Sequence, residues 1–199
     1  NYDARFAALE NTENALQQTQ VALAEAQAAR QAAEQTRQGH ESRLAELKGQ
    51  VASLQATNAT ATQEISDLMA KLDARAGELA ATEAAIEKIL QATAALERSV
   101  TSLEQGLAAV PEDAELKAAR EAIAGVVAAK QTQLTAQRDA MAAMMAEKEG
   151  WEQGVAERRE AIASREAEMA TAATTIAEVE TQLQAAIAEV EKAGAVVDQ

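Results

Sequence analysis

Few residues of this 199-residue chain could carry out chemistry at a site. His40 is the single histidine and cysteine is absent, so the sequence offers neither a thiolate metal site nor a disulfide framework. Aspartate and glutamate are plentiful, but carboxylates that act as general acid and base need a pocket around them. No phosphate-cradling glycine loop, HExxH helix or catalytic serine triad is recognisable. The sequence therefore predicts a non-enzymatic protein without catalytic residues, cofactor, metal or small-molecule substrate.

Asn58 allows two interpretations. Together with Thr60 it forms an N-glycosylation sequon, which is used on surface loops. It also falls on a heptad position among leucine and isoleucine, where a buried asparagine fixes the register of a coiled coil at a cost in stability. We favour the structural role, because the middle of a coiled coil is not a surface loop.

Trp151, the single tryptophan, stands between Gly150 and Gly154. Two glycines this close in a helix cost roughly 1–2 kcal/mol relative to alanine. The glycines allow two interpretations. They form a hinge or a docking site for another chain, or they leave room for the bulky indole in the core. We favour the second interpretation. Met141 and Met144 fall on heptad positions just before it, so they are also expected to fill the core and not to form an adaptable binding surface.

The composition favours long helices over a globule. The hydrophobic fraction of 48% is mostly alanine, and aromatic residues make up only 2%, so little area is available for a compact core. The net charge of -14 is spread along the chain without a basic patch, which disfavours nucleic acid and anionic membrane surfaces as partners. No apolar run approaches the roughly 20 residues of a membrane span. Protein partners, or further copies of the chain, are the expected partners.

Apolar residues recur every seven residues over most of the chain, which is the pattern of a left-handed coiled coil. The first heptad position, a, runs without a slip from residue 44 to residue 107, and position d follows it three residues later. A second series, with its a positions at 127–197, begins in a new phase after Pro111. The expected fold is all-α, a long antiparallel two-helix coiled-coil hairpin that turns near Pro111.

Pro111 is the only proline and separates the two series. Proline suits the first turn of a helix, and the acids that follow it suit the positive end of the helix dipole. Together with Gly106 it predicts a stop and a restart. We therefore place the first helix at 1–109, the turn at 110–115 and the second helix at 116–199.

The two segments are nearly equal in length, so each can bury its seam on the other if the chain turns back. The favoured register sets Leu96 against Val127 and Leu72 against Trp151. A shift by one heptad would set charged residues against apolar ones, although the sequence alone does not fix the register more closely. A straight rod, broken at Pro111 and dimerised in parallel, is the alternative.

The favoured register has one unfavourable pair. It sets Arg75 against Lys148, and these two cations repel each other unless Glu78 or Glu147 lies between them. Asn58 also meets a polar partner, because it faces Arg165 across the seam. We therefore expect several polar layers within an otherwise apolar seam.

The first 23 residues form a stub that precedes the segment paired in this register. Their apolar side chains recur at helical spacing, and an exposed stripe of this kind marks an interface. The stripe consists of Tyr2, Phe6, Leu9, Leu16 and Leu23. Arg30, Arg37 and His40 follow at core positions, where they are expected to loosen the hairpin and let the stub dock on a neighbouring domain or subunit.

The heptads rich in Ala, Glu and Gln, with the restart VPEDAELKAAREAI at 110–123, resemble the coiled-coil segments of planctomycete-type proteins that also carry c-type cytochrome and WD40 domains. The resemblance covers the whole chain, whereas the haem signature CxxCH and propeller repeats are absent from it. It implies a bacterial spacer in a periplasmic or cell-surface setting. Without it, a cytoplasmic setting is the default expectation.

The leading functional hypothesis is a structural and interaction element, a hairpin that spaces, projects or cross-links the domains or subunits of a larger assembly. One alternative is the coiled-coil arm of an ATPase or transport machine that relays motion, with the polar layers permitting sliding or hinging. Another is a filament-forming rod, which concentration-dependent assembly would support. The candidate interaction residues are those of the stripe on the stub. The residues expected to fix the register or the turn are Asn58, Trp151 and Pro111.

Overall fold

A computed structural model describes residues 2–197 and confirms the all-α helical hairpin. Helix α1 spans Tyr2–Ala109 and helix α2 spans Ala114–Val197, with no strand anywhere in the described range. Asn1 and residues 198–199, which the sequence prediction counts within the two helices, lie outside the described residues. Alanine, glutamate, glutamine and leucine fill both helices, and these residues have high intrinsic helix propensities.

The turn between the helices takes only four residues, from Val110 to Asp113. The Asp113 N–H donates to the Val110 carbonyl at 3.2 Å, and Pro111 occupies the second position of this β-turn, where its fixed φ is favoured. The Asp113 carboxylate then accepts the N–H groups of Glu115 and Leu116 at 2.9 and 3.0 Å. This is the geometry of a helix N-cap, which satisfies amides that have no partner inside the helix.

Two details of the turn differ from the sequence prediction. Helix α2 begins directly after Asp113, two residues before the predicted start at 116, because the aspartate caps the helix there. Pro111 therefore lies in the turn and not in the first turn of α2. Gly106 does not end α1, which continues for three more residues. A Cβ on Gly106 would lie 3.5 Å from the Leu116 side chain, so the glycine lies at a close contact between the helices.

The contacts divide the chain into two compact units. The turn unit, Thr60–Ala161, contains the end of α1, the turn and the start of α2. Its most buried residues occupy heptad positions of the seam and are Ala61, Ile89, Thr93 and Val155. Thr93 is the buried polar residue among them, and its hydroxyl donates to the Ile89 carbonyl at 2.8 Å. The predicted seam is therefore the core of this unit.

The terminal unit combines Asn1–Ala59 with Ile162–Gln199. Leu47, Val179 and Ala186 are its buried residues, and all three occupy position d of their heptad series. Lys48 and Glu180 form an ion pair across the two helices at 3.0 Å, and both side chains are about half exposed. Such surface pairs contribute little free energy, so the apolar seam is the main source of stability here as well.

Candidate functional site

The predicted stripe on the stub is exposed. Every residue from 2 to 25 has an exposed side chain. The exposed fractions of the stripe residues are Tyr2 91%, Phe6 71%, Leu9 58%, Leu16 59% and Leu23 44%. Large apolar side chains exposed in succession along one helix are the most prominent uncovered apolar surface of the terminal unit, and they form the candidate site.

Helical geometry places the five stripe residues on one face of α1. Tyr2, Leu9, Leu16 and Leu23 recur every seven residues, and Phe6 is four residues from Tyr2 and three from Leu9, so its side chain is a neighbour of both. Val21, which the sequence analysis did not single out, is 53% exposed. It lies five residues after Leu16 and therefore on the far side of the helix, which makes it a natural control position.

Three polar residues follow the stub on the seam side of α1. Arg30 is exposed, whereas Arg37 and His40 are half-buried. The Arg37 guanidinium hydrogen-bonds to Glu34, with its Nε 3.1 Å from one carboxylate oxygen, and it also contacts Glu41. This hydrogen bond lowers the pKa of Glu34 and raises the pKa of Arg37. The charge of Arg37 is thus matched within α1 itself.

A polar layer in the terminal unit contains Asn58. Its Oδ1 accepts a hydrogen bond from Arg165 at 3.3 Å, and both side chains are half-buried. This contact is the pair expected from the favoured register, and a shift by one heptad would separate the two residues. Asn58 therefore faces α2, as a register-fixing residue of the seam would.

A second polar layer, in the turn unit, surrounds Trp151. The Arg75 guanidinium lies 5.1 Å from the centre of the indole ring, within cation–π range. Arg75 is only 19% exposed and pairs with Glu78 at 3.2 Å and with Glu147 at 2.6 Å. Lys148 pairs instead with Glu152 at 3.2 Å. The expected repulsion between the two cations is therefore relieved by the two acids identified for this purpose in the sequence.

The two glycines beside Trp151 have different surroundings. A Cβ on Gly154 would lie 3.3 Å from the end of the Arg158 side chain and in ordinary contact with Leu68 at 3.5 Å. A Cβ on Gly150 would have no atom within 4 Å. A Cβ on Gly154 would therefore meet Leu68 and Arg158 and not the indole of Trp151, so the expected room for the indole is not what Gly154 provides.

This difference predicts the effect of two substitutions. Gly150→Ala is expected to raise the free energy of unfolding by about 0.4–1 kcal/mol, because alanine restricts the unfolded chain and fits the helix without contact. Gly154→Ala is expected to raise the free energy of unfolding by less, since the end of the Arg158 side chain, 3.3 Å from the added Cβ, must shift to make room. Chemical denaturation followed by circular dichroism measures both values, and equal stabilisation by the two substitutions would contradict the packing at Gly154.

The methionines before Trp151 also differ in their surroundings. Met141 and Met144 are half-buried at seam positions, as the core interpretation expects, whereas Met145 is 54% exposed. Met145 and Met141 line a groove of the turn unit together with Leu79, Glu149 and Glu152.

Between residues 2 and 197 no group of three or more histidine, cysteine or acidic side chains is arranged to hold a metal ion. Over the same range neither helix contains a stretch long and apolar enough to cross a membrane. Compared with protein-family models, curated proteins and solved structures, the chain matches none of them. The resemblance to planctomycete-type coiled-coil segments therefore stays a prediction.

Proposed function

We propose that the chain is a non-enzymatic structural and interaction element, a helical hairpin that spaces or cross-links the domains or subunits of a larger assembly. In this proposal the seam keeps α1 and α2 together, and the exposed stripe on the stub is the attachment surface. The observation that carries the proposal is the exposure of five large apolar side chains on one face of residues 2–25.

The stripe supports attachment because its exposure is costly for an isolated chain. Exposed apolar surface that is continuous, and not scattered, marks protein interaction sites, and an amphipathic helix uses such a face to enter a groove or to pair with another helix. Two of the three aromatic residues of the chain, Tyr2 and Phe6, lie in this stripe. Aromatic side chains are enriched among the residues that dominate binding energy.

The seam supports the spacing role because its polar residues are engaged with one another. Arg75 pairs with Glu78 and Glu147, and Asn58 with Arg165. Charged residues that are matched across the helices hold the register of a coiled coil. A fixed register prevents α1 and α2 from sliding past each other, which a spacer requires.

The double substitution Phe6→Ser and Leu9→Ser is expected to release the chain from its assembly. The hydroxyl side chains remove about 1.5–3 kcal/mol of apolar burial at each position if the stripe is covered in the complex. The measurement is the size of the native assembly containing the protein in lysates of its own cells, followed by native gel and by size exclusion.

Two controls separate attachment from folding. Val21→Ser changes an apolar side chain on the opposite face, 53% exposed against 58% for Leu9, and is expected to leave the assembly unchanged. The helical content and unfolding midpoint of the purified double variant should equal those of the original chain, because Phe6 and Leu9 are 71% and 58% exposed. An assembly of unchanged size in the double variant, with the hairpin still folded, would falsify the attachment role.

A further inference from the structure

We infer that the stub stripe pairs with the stripe of a second copy of the same chain, and that the two stubs run antiparallel. This inference rests on the proposed function, since it names the partner of the attachment surface. It follows from three properties of residues 2–25: the area they expose, the alternation of large and small residues, and the distribution of charge.

The exposed area is close to what a specific interface needs. Two aromatic side chains bury roughly 150 Å² each and three leucines roughly 80 Å² each when they are covered. Two stubs together would then bury roughly 1,100 Å², and the small side chains beside the stripe add to this. Specific interfaces begin near about 1,200 Å², so two identical stubs come close to the area of a specific pair.

The alternation of side-chain size is self-complementary in the antiparallel direction. The large residues of the stripe recur at position a, and the residues three positions later are small or polar, namely Arg5, Thr12, Thr19 and Ala26. Antiparallel helices set position a of one chain against position d of the other. Centred on residue 14, the pairing sets Leu16 against Thr12, Leu9 against Thr19 and Tyr2 against Ala26 of the second copy. Leu16, Leu9 and Tyr2 then each meet a smaller side chain, whereas Leu23 meets Arg5.

Alanine flanks the stripe on one side. Ala8, Ala15 and Ala22 immediately precede the three leucines. In the antiparallel pair these alanines face one another along the same side of the interface, where their small size lets the two helix backbones approach closely. The same alanines would lie opposite larger residues in a parallel pair, including Glu13 at the centre.

Charge favours the antiparallel over the parallel direction. A parallel pair would set Arg5 against Arg5 and bring the rest of two chains, each with a net charge of -14, side by side. The antiparallel pair sets Arg5 against Leu23 and lets α1 leave the interface in opposite directions. Glu10 and Glu13 of both copies lie near its centre and oppose it, so added salt is expected to tighten the pairing by screening them.

Sedimentation equilibrium of the purified 199-residue chain tests the pairing. The expected result is a monomer–dimer equilibrium that tightens with salt, with Leu9→Ser plus Leu16→Ser weakening the dimer at least tenfold and Val21→Ser leaving it unchanged. A chain that stays monomeric up to about 100 µM overturns the inference, and so does a dimer that ignores the leucine substitutions. Either result leaves the attachment role standing if the native assembly still depends on Phe6 and Leu9, because another protein would then be the partner.

Single cysteines test the direction, since the chain contains none of its own. In the antiparallel pair the two Ala15 positions lie side by side, so a short bismaleimide is expected to join two copies of the Ala15→Cys variant. The two Ala8 positions lie about 18 Å apart along the axis, so Ala8→Cys copies are not joined. Equal cross-linking of both variants would indicate parallel stubs and overturn the proposed direction.

Discussion

Ile89→Ala is expected to lower the free energy of unfolding by about 2–4 kcal/mol, because it removes a buried branched side chain and leaves a cavity in the seam. Ile89 is 6% exposed in the turn unit, whereas its neighbour Leu90 is 37% exposed. Leu90→Ala is therefore expected to cost less than about 1 kcal/mol. Urea denaturation followed by circular dichroism provides both values under identical conditions.

The comparison of these neighbours is informative because both are large apolar residues of the same helix. The difference between the two losses of free energy therefore reports which of the two residues occupies position d of the heptad. Equal losses for the two substitutions would mean that the face of α1 that packs on α2 is not the one described above. A small loss for both would indicate that the two helices separate before they unfold.

Trp151→Ala is expected to lower the free energy of unfolding by about 2–3 kcal/mol. This is below the value for a fully buried tryptophan, about 3–5 kcal/mol, because the indole is half-buried. The loss includes the cation–π contact with Arg75, whose guanidinium lies 5.1 Å from the ring centre. Trp151→Phe keeps an aromatic face for Arg75 and is expected to lose distinctly less.

The fluorescence of the single tryptophan checks the same layer without a substitution. A half-buried indole between the helices is expected to emit at shorter wavelength in the folded chain than in urea. Identical emission from the folded and unfolded chains would mean that Trp151 faces solvent. In that case the polar layer of Arg75, Glu147 and Trp151 would not form.

The seam could be predicted from the sequence because the apolar residues of the heptad repeat all lie on one face of the helix, and that face is the buried one. Leu47, Ile89 and Val155, three of the most buried residues, occupy heptad positions recognisable from spacing alone. The pairing of Asn58 with Arg165 follows from the favoured register, which was preferred because a shift by one heptad sets charged residues against apolar ones. Long-range order in a coiled coil follows from local periodicity, which is why so much of this fold can be inferred.

The turn was predicted less well because several local signals compete there. Pro111 suits both the first turn of a helix and the second position of a β-turn. Asp113 decides between them, since its carboxylate caps α2 with two hydrogen bonds. Gly106, interpreted as a helix stop, instead lies against Leu116 within the packed hairpin. Composition and propensity alone could not rank these alternatives.

For the candidate site, the sequence predicts which residues belong to it but not whether they are exposed. Spacing was enough to identify the stripe of the stub, but spacing alone does not distinguish an exposed stripe from a buried one. The exposed fraction of Phe6 and Leu9 is a property of the packed chain, and so is the open surrounding of Gly150. The identity of the partner cannot be predicted from spacing either, because it depends on how well two surfaces complement each other.

The central claim is that α1 and α2 of one chain pack antiparallel in the register that sets Leu96 against Val127. Leu96→Cys together with Val127→Cys tests it most directly, with Leu96→Cys plus Arg120→Cys as the control shifted by one heptad. Oxidation of the dilute protein is expected to give an intrachain disulfide in the first variant and little in the second, as judged by mass and by non-reducing gel. Disulfides that form only between chains, or equally well in the control, would contradict the hairpin or its register.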